Sequence, residues 1–318
     1  MRSLAMTLLA VLLLARPAMA GFPDRPLRIL GGFAAGGTSD LVARIVAEAI
    51  SPGLGQRVVV ENRTGASGMI AAEAMVRAPH DGYTVFQCAS LVTVLPELPG
   101  MRLPVDTWQD MVPVANVAHS NQAMVVKASA PWRNVAEFIA AARARPGALT
   151  YASSGIGALS HLSGARLEQL AGIRMVHVPY RGAALGVVDV MGGRADTIIT
   201  NLGDVVGQVR GGGLRLLGFA DGIGSPLFPG VPQIKATVPG YEISGWFGIC
   251  GPRDMPAEAL ERWQRAMGQA LAEPQWQRRL QENGLIPRFE DPAAFARTMQ
   301  QDRQVWRETI RAANIRVE

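Results

Sequence analysis

Residues 33–40 read Phe33-Ala34-Ala35-Gly36-Gly37-Thr38-Ser39-Asp40. They lie between the apolar run 27–30 and a segment whose Leu41, Val42, Ile45, Val46, Ala49 and Ile50 recur at helical spacing. A strand, a glycine loop and a helix follow from this order. Thr38 or Ser39 is placed to cap the helix, and Pro52-Gly53 to stop it. Working outward, the pattern predicts a strand at 57–61, then a Gly65-Ala66-Ser67-Gly68 loop opening a helix at 69–77. An Asp81-Gly82 turn and a strand at 83–89 complete a βαβαβ unit with a parallel sheet.

An irregular stretch rich in Pro and Trp separates this unit from a second one built to the same plan. Residues 123–127 read as a strand crossing into a second body. Asn134 and Glu137 resemble a capping box for a helix that runs to Arg145 and ends at Pro146-Gly147. A strand at 149–153 passes through Ser154-Gly155-Ile156-Gly157 into a helix ending near Gly172. Strands at 175–179, 196–201 and 214–220 then alternate with helices at 185–191 and 203–210. From Pro256 the tail is mostly helical, with Asp291-Pro292 as N-cap and first-turn proline, and Phe295, Met299, Trp306 and Ile310 as its apolar stripe.

Length and composition agree with two domains. The chain has 318 residues, 48% hydrophobic and 18% charged, with mean hydropathy +0.14, so it can bury a sizeable core and is neither disordered nor fibrous. The formal charge is +5 and the pI about 9.7, which by themselves point to a polyanion partner. The N-terminus alters that count. Met1 and Arg2, the apolar run 8–15 and Ala18-Met19-Ala20 have the layout of a secretory signal cleaved before Gly21. The run is well short of the roughly 20 residues a spanning helix needs. Taking Arg2 and Arg16 from the 31 basic residues leaves 29 against 26 acidic, a formal +3. An exported protein is expected, periplasmic in a bacterium.

In that oxidising compartment Cys88 and Cys250 are open to a disulfide. Both lie in apolar strand-like runs, so burial as free thiols is the favoured reading. The four histidines show no metal-ligand spacing, and no metal or cofactor is expected.

Two α/β bodies joined by crossing strands describe a hinged binder with its ligand between them. In such sheets ligands sit at strand carboxyl ends, where helix N-termini offer free N–H groups and a partial positive charge. The loops 33–40 and 153–161 both have this form, and both would favour an anion. Residues 31–38 follow G-x-x-x-x-G-G-T, close to a phosphate loop, but the lysine is absent. An exported serine hydrolase of small esters is the alternative, because Ser153, Ser154, Ser160 and His161 are close in sequence. No Gly-x-Ser-x-Gly elbow exists, however, and Ser160 and His161 are adjacent, so they diverge on a helix. Nucleic acid is not an expected partner: Arg278-Arg279 is the only adjacent basic pair.

Further stretches occur in a telling order. After residues 33–40 come Val59-Val60-Glu61-Asn62-Arg63-Thr64-Gly65-Ala66-Ser67-Gly68, Asp81-Gly82-Tyr83-Thr84, Tyr151-Ala152-Ser153-Ser154-Gly155, His161-Leu162-Ser163-Gly164, Val176-His177-Val178-Pro179-Tyr180-Arg181-Gly182 and Gly245-Trp246-Phe247-Gly248. Each motif is weak alone, but their order over the whole chain after the signal is specific. The chain resembles the Bug-type receptors of the tripartite tricarboxylate transporter system.

The resemblance implies a periplasmic solute-binding protein, not an enzyme, with a type II-like Venus-flytrap α/β fold. A discontinuous domain I would take residues 21–121 plus 245–318, and domain II residues 122–244. A small carboxylate, di- or tricarboxylic or aromatic, would bind between them and be delivered by a monomeric receptor to a tripartite tricarboxylate-type permease, where a cognate permease exists. By position, ligand contacts carry over to Phe33, Ala35, Gly36, Thr38 and Ser90 in domain I. In domain II they carry over to Ser154, Gly155, His161, Tyr180 and Asn201. Such receptors grip their ligand through backbone amides and water, and Arg181 is expected to be solvated in its turn.

Two positions depart from the family. Gly32 stands where proline is usual, which would loosen the first loop. Thr200 stands where an acid is frequent, which would remove a partner for an amine and favour a non-amino carboxylate.

Overall fold

The computed structural model of the chain describes residues 21–313 and 315. The segment read as a signal lies outside the described residues. Among the described residues no helix is long and apolar enough to cross a membrane.

The first unit forms as its pattern dictates. Strand β1 (Leu27–Gly31) leads through the glycine loop into α1 (Thr38–Leu54), followed by β2 (Val58–Asn62), α2 (Met69–Val76), β3 (Thr84–Ala89) and the single turn α3 (Leu91–Val94). β1 pairs in parallel with β2 on one side and β3 on the other. Leu27, Ile29 and Leu30 are buried, as expected of a parallel strand covered on both faces. The apolar residues of α1 turn onto this sheet.

Both ends of α1 correct the sequence reading. Neither Thr38 nor Ser39 caps it: the N-cap is Gly37 without a side-chain bond, because the Thr38 hydroxyl is drawn to Asp204 instead. Pro52-Gly53 does not stop it either. The helix runs to Leu54, and Gly55, at φ 68°, supplies the left-handed turn that ends it.

The stretch read as irregular contains a ten-residue strand, β4 (Met111–Ser120). The chain then passes at once into β5 (Gln122–Lys127), the first strand of a second sheet. There α4 (Val135–Ala144), β6 (Thr150–Ser153), α5 (Leu159–Ala171), β7 (Val176–Pro179), α6 (Ala183–Gly192), β8 (Thr197–Asn201), α7 (Leu202–Arg210) and β9 (Leu214–Phe219) follow the alternation of the sequence. The Asn134 side chain accepts from the Glu137 amide, and Glu137 accepts from the Arg133 amide and the Asn134 side chain, a variant of the capping box.

After residues 220–244 the chain returns to the first sheet as β10 (Gly245–Pro252). α8 (Ala257–Ala272), α9 (Pro274–Glu282), β11 (Leu285–Glu290) and α10 (Pro292–Ala313) complete it. Asp291 caps α10 through the Ala294 amide. The sheets have the orders β11-β4-β10-β3-β1-β2 and β7-β6-β8-β5-β9. β11, which carries Pro287, lies at a sheet edge, where a missing N–H is tolerated.

The free-thiol reading is overturned: Cys88 on β3 and Cys250 on β10 form a disulfide, with Cα atoms 5.9 Å apart. β10 runs antiparallel to β3, with Gly248 opposite Cys88 and Cys250 opposite Phe86. That two-residue diagonal puts both sulfurs on one face within bridging range. The pairing joins residues 162 apart, so local sequence carries no sign of it.

Candidate functional site

Where the carboxyl ends of the strands of both sheets meet, loops and helix ends enclose a cavity of about 70 Å³. Residues from the first loop, the end of β3, the start of β10, the loop before α5 and the start of α6 line it. The walls are largely apolar, with Phe33, Leu91, Leu159, Leu185, Trp246 and Phe247 among them.

Helix N-termini converge here. The N-cap of α5 is Ala158 and that of α6 is Gly182, neither with a side-chain cap bond, and both starts line the cavity. Their unpaired N–H groups favour an anion. Ser90, only 3% exposed, also lines the cavity, and its hydroxyl has no hydrogen-bond partner among the described residues.

The N-terminus of α1 is already engaged. The Asp204 carboxylate, from the first turn of α7, accepts from the Thr38 amide and the Thr38 hydroxyl, each at 2.7 Å, through Oδ1. Its Oδ2 accepts from the Thr200 hydroxyl at 2.6 Å and Asn201 Nδ2 at 3.2 Å. Gly203 makes room for this contact, since a Cβ there would stand 2.7 Å from Thr38 Oγ1. The missing acid at position 200 therefore leaves no gap in charge: a carboxylate reaches the same hydroxyl from four residues on. Sequence reasoning passed over Asp204, although an acid in the first turn of a helix that follows a strand end is a recognisable signal.

Of the ten positions named from the sequence, Phe33, Thr38, Ser90, Ser154 and Asn201 line this cavity. Asn201 is held by Ser120 and Gln122, which donate to its Oδ1 at 2.5 and 2.7 Å. Ala35 and Gly36 do not line it. They form the exposed outer turn of the loop, where the Gly36 amide is used by Asp40, and Ala34 and Gly37 line the cavity in their place.

Gly155 and Tyr180 line an adjoining, more open pocket of about 290 Å³, which shares Phe33, Ser154 and Arg181 with the first. The Tyr180 hydroxyl donates to Asp189 at 2.6 Å. Burial, and then that carboxylate, push its pKa up to about 12. Arg181 is exposed, as expected of a solvated arginine, and it also borders both spaces with no acidic partner among the described residues. Gly32 is a close-packing position rather than a loose one: a Cβ there would lie 2.5 Å from Gly68 Cα.

His161 lies off the cavity, behind the second loop. Its Nδ1 accepts from the Gly157 amide at 3.1 Å, and its ring stacks on His177 at 4.0 Å, with Tyr151 completing the stack. Burial lowers the His161 pKa to about 4. Burial, and then the neighbouring His161, lower that of His177 to about 3. His177 Nε2 meets Ser153 Oγ at 2.6 Å, the serine–histidine pair an esterase would require. Ser153 is 0% exposed, so its hydroxyl faces neither the cavity nor the surface. Among the described residues no group of three or more metal-ligating side chains comes together.

A model of the family described as the tripartite tricarboxylate transporter family receptor matches residues 42–315. A UPF0065 protein of a Pseudomonas species is 32% identical over 291 residues, 91% of this chain and 86% of the relative. A solved structure of an R. palustris protein with adipate aligns with TM-score 0.90 at 30% identity, over 93% of this chain and 99% of that one. The periplasmic binding protein BugD aligns with TM-score 0.89 at 26% identity, over 93% and 100%.

Proposed function

The chain belongs to the tripartite tricarboxylate transporter receptor family, a family of solute-binding receptors, and from that premise we propose that it captures a small carboxylated metabolite in the cleft between its two sheets. The observation that carries this reading is the convergence of the uncapped N-termini of α5 and α6 with the buried, unpartnered Ser90 hydroxyl on one cavity. Amide and hydroxyl donors fixed around an apolar space suit a carboxylate on a hydrocarbon body. The R. palustris structure with adipate supports the same ligand class.

On this reading, residues 21–121 plus 245–318 form one domain and 122–244 the other. Ligand binds the open form, and closure excludes water and strengthens its hydrogen bonds. Phe33, Thr38, Ser90, Ser154 and Asn201 line the closed cleft, with Gly155 and Tyr180 at the mouth. The receptor is exported, works as a monomer without catalysing a reaction, and hands its ligand to a membrane permease of the tripartite type.

Mass spectrometry of small molecules released from the purified protein, followed by calorimetric titration of each, tests the proposal. A released carboxylate that rebinds supports it. Titration of a carboxylate panel with no heat of binding, alongside tight binding of a neutral or cationic solute, overturns it.

A further inference from the structure

Two charged residues line the main cavity, Asp204 and Arg181. Asp204 lies on the N-terminus of α1, holding the Thr38 amide and hydroxyl. These are the donors that a ligand carboxylate would otherwise use at the first glycine loop. The chain's own anion has taken that position. With Thr200 and Asn201 on the other oxygen, all four acceptor sites of the carboxylate are filled, so it offers nothing to a ligand's ammonium group.

From this we propose that Asp204 is a specificity-determining residue that restricts the receptor to ligands with one carboxylate and an apolar body. The inference rests on the carboxylate reading given above. The donors left for a ligand anion are the starts of α5 and α6, the Ser90 hydroxyl and Arg181. A second carboxylate brought against Asp204 would meet its fixed charge in surroundings that screen it poorly, and like charges there repel strongly. The other polar side chains of the wall, Ser39, Ser154 and Asn201, are already hydrogen-bonded within the protein, so a second carboxylate finds little to replace its lost water. A hydrocarbon body against Phe33, Leu159 and Trp246 incurs no such cost.

Matched pairs of equal carbon number isolate the effect: butyrate with succinate, and hexanoate with adipate, titrated calorimetrically into the full chain. In the wild type each monocarboxylate is expected to bind at least tenfold more tightly than its dicarboxylate. Asp204→Asn and Asp204→Ser are expected to reduce that ratio by tenfold or more. Equal or tighter wild-type binding of the dicarboxylates overturns the inference and leaves the carboxylate reading intact. So does an unchanged ratio in a variant that keeps the wild-type melting temperature. Because the wild-type ratio is itself decisive, the inference stays testable if both variants fail to fold. Binding of none of the four acids overturns this inference, and the carboxylate reading is then decided separately by the identity of the molecule released from the purified protein.

Discussion

The carboxylate of Asp204 accepts both the amide and the hydroxyl of Thr38, a residue 166 positions away, at 2.7 Å each. One partner begins the first helix of the first sheet and the other lies in a helix of the second, so the contact ties the two sheets together beside the cavity.

Thr38→Val removes the hydroxyl half of that contact and keeps the amide. A hydrogen bond to a charged acceptor contributes about 1.5–3 kcal/mol, so the closed form should lose at least about tenfold in population relative to the open one. Small-angle scattering of the ligand-free variant should give a larger radius of gyration than the wild type. An unchanged radius would show that other contacts close the cleft.

The Cys88–Cys250 bridge closes a loop of 162 residues that contains the entire second sheet. Reducing it should lower stability by roughly 2–5 kcal/mol, the usual range for a disulfide spanning a long loop. Denaturant titration with and without reductant measures this. Thiol titration of the unfolded, unreduced protein should find no free sulfhydryl.

Acid should destabilise the second loop through its stacked histidines. His161 and His177 are held at about 4 and about 3 in the folded chain, against roughly 6.5 when unfolded. Between those values the unfolded chain binds protons that the folded chain refuses. The stability associated with this pair is therefore complete above pH 6.5 and is lost progressively as pH falls toward 3. Denaturation midpoints across pH 4–7 should show a shallower slope in His177→Phe than in the wild type. Equal slopes would assign the acid sensitivity elsewhere.

Gly164 lies on α5 against the buried ring of Tyr151, and a Cβ there would come 2.2 Å from the ring. Gly164→Ala should cost roughly 1–3 kcal/mol by overpacking. Because Tyr151 also stacks on the histidines, ligand affinity should fall along with the melting temperature. A variant as stable as the wild type would show that the ring moves aside freely.

Most of the first unit was legible because its signals are local. The apolar residues of β1, the helical spacing of α1 and the glycines between them act within a few residues of one another, and Asn134 with Glu137 announces its helix in the same way. β4 was not legible. Pro113, Asn116 and His119 break the alternation that marks a strand, and Asn116 is tolerated in the interior because Glu290 accepts its side-chain amide at 3.0 Å. That partner is 174 residues away and belongs to a strand recognisable only once the sheet is assembled.

The candidate site divides in the same way. Sequence alone determined that the two glycine loops lie at strand ends, each ahead of a helix, because turn geometry and helix periodicity are properties of short stretches of chain. Only the tertiary structure decided which groups face the cavity. It turned Ala35 and Gly36 outward, withdrew His161 into a stack behind the loop, and brought Asp204 onto Thr38. Hydrogen-bond partners are chosen by proximity in space, and the meeting of a first-sheet helix with a second-sheet carboxylate exists only when both sheets have folded and come together.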